Sequence, residues 1–437
     1  MNVIGIAAEY NPFHNGHALH IARARGLLDG PGTAVAAVLS SAFTQRGLPA
    51  LADKWTRTRM ALLNGADLVL ELPFLHACNG GAEFAGGAVD ILAGTGFVTH
   101  ISFGMENPFE PGLRSSPFET ILDILLQEPP SFKLSLKNNL ASGQSYPKAI
   151  AGALDRELPG SGDLASTPNN SLALSYLLHI RRKRYNLISL PIQREGPGYH
   201  DGPDGGTERD TRSALLAGAA AIRKGLFLGE AWTAKAMPAS VSALLEEARA
   251  DGRLCTGTST KTLWTLLRGL LLRSTPEELR QFAGMDEGLE NLFLKHFPRA
   301  VSYEDFIGRC VCARYTRGRL QRASIRLLTG LGRKTPEVSR EGPPFIRVLG
   351  FNRRGRELLR ASASALRRGA VLPQRAALPQ CAALPLVTRL AAARLTGNGQ
   401  SAERYVDMEF RASRLWELLV PAPDLRREER QKPVDLS

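Results

Sequence analysis

Three histidines, His14, His17 and His20, stand three residues apart in "EYNPFHNGHALHI", and the rest of the 437-residue chain holds only five more. The stretch sits where an apolar run, "NVIGIAA", gives way to the helical spacing of "GHALHIARARGLL", so His14 and His17 straddle the mouth of the first helix. Side chains at i and i+3 share a helix face, and Gly16 between them allows a close backbone approach. A helix N-terminus offers unpaired N–H groups and a partial positive charge, which suit a phosphate. Two imidazoles there would donate hydrogen bonds to phosphate oxygens as charge builds on them, stabilising a transferring or leaving phosphate. The chain has no glycine–lysine phosphate loop, so a triphosphate would be held in this different way. A structural cap with surface histidines is the plainer alternative. A metal site is disfavoured because no Asp or Glu lies on the same turn. His20, one turn on, reads as packing against the sheet edge.

Such a grip needs a scaffold, and the first half supplies one. Short apolar runs ("NVIGIAA", "TAVAAVLS", "DLVLELP", "THISFG", "NLISLPIQ") alternate with helical segments. This predicts an α/β fold with a Rossmann-like parallel sheet and helices on both faces. Ligands of such sheets bind beyond the carboxyl ends of the strands. The exits here, "EYNPFHNGH", "SSAFTQRG", "ELPF" and "SFGMEN", are polar or glycine-rich, so the site is expected along that rim. Asp53 reads as the N-cap and Gly65 as the stop of the helix in "DKWTRTRMALLNG". Residues 108–168 read as mostly helical, and "STPNNSLALSYLLHIRRKRY" as a capped helix. The chain is long enough for two or three domains. The first is drawn over residues 1–225 and the second, mainly helical and basic, over 226–437. One strand-like piece, "PFIRVLGFN", interrupts the second, and the last dozen residues read as frayed.

Composition narrows the class. No run approaches the roughly 18 apolar residues of a membrane helix, and "MNVIGIAAEYNPF" does not read as a signal peptide. The cysteines at 78, 255, 310, 312 and 381 form neither a disulfide framework nor a zinc spacing, which points to a reducing compartment, the cytoplasm. Residues 1–225 hold 20 basic and 20 acidic side chains, so the whole net charge of +13 falls in the second half. That asymmetry suggests a polyanionic partner there. Residues 309–334 carry seven arginines and one lysine without an acidic residue. Arg314, Arg317, Arg319, Arg322 and Arg326 are spaced so that several share a helical face, with Tyr315 interleaved. Phosphate contacts from such a face would be salt-sensitive and largely independent of sequence. A solvated helix face is the alternative.

"PFHNGH", with His14 and His17 as its outer residues on a strand–loop–helix, resembles the HxGH motif of the nucleotidyltransferase superfamily. That superfamily shares its HUP-type fold with class I aminoacyl-tRNA synthetases. "EYNPFHNGH", "TQRGLPALADKWTRTRMALLNGADLVLELPF", "STPNNSLALSYL", "GYHD", "ARYTRGRLQR" and "FIRVLGFNRRGRELL" together resemble the bacterial tRNA(Met) cytidine acetate ligase family along most of the chain. The resemblance implies an enzyme that activates acetate with ATP as acetyl-adenylate, releasing pyrophosphate. It would then acetylate N4 of the wobble cytidine in the anticodon loop of elongator tRNA(Met). Magnesium is expected to accompany the triphosphate.

The same resemblance assigns residues. Ala7, Ala8, Glu9, Tyr10, Asn11, Pro12, Phe13, His14, Asn15, Gly16, His17, Ala18, Leu19 and His20 match the first ATP-binding stretch, with His14 and His17 catalytic on the phosphates. Gly104 matches a glycine where adenine or ribose meets the backbone, and an ordinary turn glycine is its plain reading. Asn169 resembles a nucleotide contact and could instead be only a helix N-cap. Arg194 and Glu195 occupy a nucleotide-binding position, and the planar fork of Arg194 suits phosphate. Asp53, Lys54, Trp55 and Arg57, with Gln45, Arg46 and Gly47 before them, match family words without an assigned contact. Arg46 is the preferred extra candidate.

Two words depart from the family. "SSAF" places Ser41 and Ala42 where a glycine and an asparagine are usual. "GAAAIR" places Gly218 and Ala220 where two hydroxyls are usual, with Arg223 retained. Each lost hydrogen bond to a charged group weakens binding by roughly 1.5–3 kcal/mol. Two rival readings stay open: a nucleotidyltransferase that adenylylates a small metabolite, and a tRNA-binding protein with a degenerate nucleotide site.

Overall fold

The five apolar runs of the first half form β1 (Val3–Ala8), β2 (Ala34–Ser40), β3 (Leu68–Leu72), β4 (His100–Met105) and β5 (Ile188–Gln193). They pair in parallel in the order β5-β4-β1-β2-β3. All of this comes from a computed structural model that describes residues 1–28, 30–108, 116–194, 215–333, 341–367, 384–395 and 399–437. Every residue of β2 and β3 is buried, as continuous apolar runs require when helices cover both faces. The chain steps from β1 to β2 and β3 on one side and returns through β4 and β5 on the other. The switch therefore falls between β1 and β4, where a crevice opens beyond the strand ends.

Helix Lys54–Leu63 starts as expected, with the Asp53 carboxylate accepting the Thr56 N–H at 2.8 Å. It stops at Asn64, and Gly65 follows with φ +113°, a left-handed conformation that glycine adopts without strain.

The strand-like piece of the second half, β6 (Ile346–Asn352), does not stay among helices. It pairs antiparallel with β3 through Leu68↔Phe351, Val69↔Gly350 and Leu70↔Val348. Two short strands, β7 (Leu386–Val387) and β8 (Val434–Leu436), then pair with β6. Periodicity marks a strand but names no partner. The unpaired edge of β3 supplies the reason for this one. The last dozen residues are correspondingly not frayed: Val434, Asp435 and Leu436 pair with Gly350, Phe351 and Asn352, and Glu428 is buried.

Three cores result. Helix Asn15–Gly26, helix Lys54–Leu63 and helix Ala239–Ala250 cover one sheet face, and helices Gly81–Gly94 and Pro168–Lys183 the other. The third core joins helices Gly257–Arg273, Tyr303–Cys310, Arg317–Thr329 and Gly399–Glu417. Phe43, on the loop after β2, and Phe74, opening the short helix Phe74–Ala77 after β3, insert into that helical core with their rings edge to face at 6.0 Å. Burying each contributes about 1.5–3 kcal/mol and seats the helices on the rim of the sheet.

A buried ionic cluster ties the same regions together. Lys54 Nζ lies 3.0 Å from Glu409 Oε1 and 2.9 Å from Glu428 Oε2, and it also bonds Glu71. Arg347 bonds Glu428 and reaches Glu71 Oε2 at 3.0 Å. The Trp55 ring lies 5.7 Å from Lys54 Nζ and 5.0 Å from the Arg347 guanidinium carbon. Two further donors complete the set: the Phe74 N–H to Glu409 and the Ser413 hydroxyl to Glu428. Lys54 and Trp55 are thus structural. So is Arg57, 1% exposed, whose guanidinium donates to the carbonyls of Ala52, Glu9 and Ser41.

Candidate active site

The loop from β1 into the first helix is held from every side. Arg57 Nη1 donates to the Glu9 carbonyl at 2.8 Å, and the Glu9 carboxylate accepts the Gln45 N–H at 2.7 Å. Asn11 Oδ1 accepts the Leu51 N–H at 2.7 Å, while its carbonyl accepts Arg223 Nη1 at 2.6 Å. Asn15 donates to the carbonyls of Leu215 and Lys235 at 3.0 and 2.8 Å. Tyr10 and Phe13 are buried, and their ring centroids lie 4.9 and 5.4 Å from that of His17. Within the stretch 7–20 these residues form a platform, and the cleft belongs to others.

On that platform the histidines cap their own helix. His14 Nδ1 accepts the Gly16 N–H at 3.1 Å, and His17 Nδ1 accepts the His14 N–H at 3.2 Å. This capping box assigns both tautomers: each Nδ1 is an acceptor, so each Nε2 carries the proton. The rings stack with centroids 3.7 Å apart. His20 is assigned by the same logic. The Ser102 hydroxyl spends its proton on the Leu190 carbonyl at 3.0 Å, so His20 Nε2 donates to Ser102 Oγ at 2.8 Å. His20 is therefore more than packing, because it lines the cleft in a set orientation.

All three rings are neutral at pH 7. Burial, with Arg194 and Arg223 adding to it, pushes His14 down to about 3. Burial and then Arg194 push His20 down to about 4, and burial, His14, His20 and Arg194 hold His17 well below its ordinary value. The unfolded chain takes up these protons below about pH 6.5 and the fold does not. Stability is accordingly complete above pH 6.5 and falls as the pH drops toward the folded values, by up to about 1.4 kcal/mol per pH unit for each ring. Urea midpoints between pH 7.5 and 5 should fall steeply, with a shallower slope in His20→Asn. A flat profile would reject the neutral assignment.

The cleft, about 200 Å³, lies at the topological switch. Ala7, the penultimate residue of β1, lies at its floor; His14, Gly16, His17, Leu19 and His20 form one wall, and Gly104, Asn169 and Arg194 the other. Ala8, Glu9, Tyr10, Asn11, Pro12, Phe13, Asn15 and Ala18 do not line it. Gly104 lets the stem of Arg194 lie close over the strand: a Cβ there would stand 3.1 Å from Arg194 Cγ. Asn169 is not the N-cap of its helix, which is Thr167. Its Oδ1 accepts Arg194 Nη1 at 2.8 Å. Gly218 also faces the cleft and starts helix Ala219–Leu228 with no side-chain cap, whereas Ser41 and Ala42 are buried away from it. Glu195 and the "GYHD" word lie outside the described residues. Residues that the sequence reading passed over are Ser102, Tyr176, Arg23 and Glu106. Glu106 stood in plain view on a polar strand exit.

The arginines of the basic half do not form one solvent face. Arg314, Arg317 and Arg319 point outward but meet Glu287, Glu304 and Asp286 from other elements. A search of the local sequence cannot see such partners. Arg322 Nη1 donates to the Gln45 carbonyl at 3.1 Å, and Arg326 Nη2 to Cys78 O at 3.1 Å and Asn79 Oδ1 at 2.6 Å. This inner pair fastens the helix to the loops after β2 and β3. Gly47, at φ +76°, takes the close contact: a Cβ there would come within 2.4 Å of the Arg322 nitrogen. Arg46 lies exposed on the same loop.

Comparison with known proteins agrees with this geometry. Residues 1–431 match the family model described as HIGH Nucleotidyl Transferase. The chain is 38% identical over 371 residues to a tRNA(Met) cytidine acetate ligase of Acetivibrio thermocellus, covering 82% of this chain and 85% of that one. It is 32% identical to the ligase of the same name from Halothermothrix orenii, covering 98% and 97%. Thermotoga maritima TmcAL bound with alpha-thio ATP superposes over 100% of both chains with a TM-score of 0.82 at 27% identity. Its apo form gives 0.85.

Proposed function

The chain belongs to the tRNA(Met) cytidine acetate ligase family of HIGH nucleotidyl transferases, and on that premise we propose that its cleft binds ATP and turns acetate into an acetyl donor for tRNA. An acetate oxygen attacks the α-phosphorus of ATP and the bond to the β-phosphate oxygen breaks, releasing pyrophosphate and acetyl-adenylate. N4 of the wobble cytidine of elongator tRNA(Met) then attacks the acetyl carbonyl. AMP departs with the former carboxylate oxygen, and the nitrogen loses a proton. The observation that carries this reading is the pair of Nε2–H donors on His14 and His17 at the capped start of the first helix, facing Arg194 across the cleft. Neutral Nε2–H donors meet the phosphate oxygens without a prior proton transfer. Among the described residues no group of His, Cys, Asp or Glu could hold a metal ion. Magnesium would arrive with the triphosphate, whose charge it offsets.

Residues 226–437 form the tRNA-binding part. Phosphates displace Glu287, Glu304 and Asp286 from Arg314, Arg317 and Arg319, while Arg322 and Arg326 keep the helix at the rim. Among the described residues no helix is long and apolar enough to cross a membrane, and a tRNA substrate supports a cytoplasmic reaction. The test is pyrophosphate release that requires acetate, with N4-acetylcytidine appearing in tRNA by mass spectrometry. Acetate-independent release with no acetylated nucleoside would sink the proposal.

A further inference from the structure

Glu106 follows the last residue of β4 and points away from the cleft, into the start of helix Pro168–Lys183. Its carboxylate fills the place of the missing side-chain cap. Oε2 accepts the Asn170 N–H at 3.0 Å and the Thr167 hydroxyl at 3.2 Å, while Oε1 accepts the Asn169 N–H at 3.4 Å and the Asn169 side-chain amide. The Glu106 N–H is bound in return by Asn170 Oδ1 at 3.1 Å. An ionised carboxylate only accepts, so it turns the Asn169 NH2 toward itself and the Asn169 oxygen toward the cleft. That oxygen holds Arg194 Nη1 at 2.8 Å, and the stem of Arg194 rests over Gly104.

We propose that Glu106 is a positioning residue for the nucleotide's phosphates, setting the Asn169 amide and through it the Arg194 guanidinium. This rests on the reading of the cleft as an ATP site. The charge of Arg194 is felt by His14, His17 and His20 alike, which puts it beside the imidazoles that face the phosphates. Glutamine at 106 supplies one acceptor where four donors converge. Its NH2 lets Asn169 flip and present donors to Arg194.

The experiment is calorimetric binding of ATP and of adenosine to the full chain, with Glu106→Gln, Arg194→Ala and the double variant. E106Q should weaken ATP about tenfold to a hundredfold and leave adenosine within about twofold. In the R194A background it should add less than about twofold, since the relay has lost its end. Asn169→Ala, which keeps the Glu106 bonds to Thr167 and Asn170, should repeat the E106Q loss for ATP if E106Q itself folds poorly. Equal losses for ATP and adenosine, or E106Q and R194A effects that multiply, would overturn the relay and leave Glu106 a helix cap. A wild-type chain that binds no ATP would instead remove the nucleotide reading on which the relay stands.

Discussion

Replacing His14 or His17 by alanine should lower kcat/KM for acetate-dependent pyrophosphate release by about 10²–10³, and replacing both should cost little more than either alone. The two rings act as one unit. His14 Nδ1 caps the Gly16 N–H while His17 Nδ1 caps the His14 N–H, and their stacked planes present two donors to one ligand. Loss of the cap by itself lowers stability by about 0.5–2 kcal/mol, so melting must be measured beside turnover. His14→Asn separates the two effects. Asparagine is a strong N-cap and should hold the melting temperature near wild type, yet it has no second nitrogen where Nε2–H stood. If H14N turns over as wild type does, the imidazole is a cap and nothing more.

Lys54→Met should destabilise the fold by about 3–5 kcal/mol, the penalty for stranding buried charge. Without it Glu71, Glu409 and Glu428, all buried, face Arg347 alone. Because the cluster joins β3 and β6 to helix Gly399–Glu417 and the C-terminal segment, the loss should appear as one cooperative drop in the urea midpoint. Adding Glu409→Gln should recover part of it, since an amide removes one charge while its oxygen still accepts the Phe74 N–H. A K54M midpoint within experimental error of wild type would show that the cluster is not holding these regions together.

The strands of the first half were legible because burial on both faces leaves no polar alternation to confuse with a helix. The helix starts at Asp53 and at His14 were legible because capping is local chemistry. What lay beyond reach depends on distant partners. Nothing in "PFIRVLGFN" says that its neighbour is β3, 278 residues upstream from Ile346 to Leu68. The arginine run looked free of acidic partners because Glu287, Asp286 and Glu304 arrive from other turns of the chain. In the cleft, residue types and spacing marked His14 and His17, and the family resemblance marked Gly104, Asn169 and Arg194. The tautomers that make the histidines donors, and the Glu106 carboxylate behind Asn169, emerge only from hydrogen bonds that close across the fold.

The antiparallel seam between β3 and β6 has a consequence for how the molecule is made. A nascent chain emerges from its N-terminus, so the parallel sheet can assemble long before residues 346–352 leave the ribosome. During that interval Leu68, Val69 and Leu70 present an apolar edge with unpaired backbone groups, a template for any other strand. Glu71, bonded to Lys54 of helix Lys54–Leu63, also waits for Arg347 from the same late strand, and Lys54 waits for Glu428 from the tail. The sheet of the first half thus cannot be completed before nearly the whole of the second half has been synthesised.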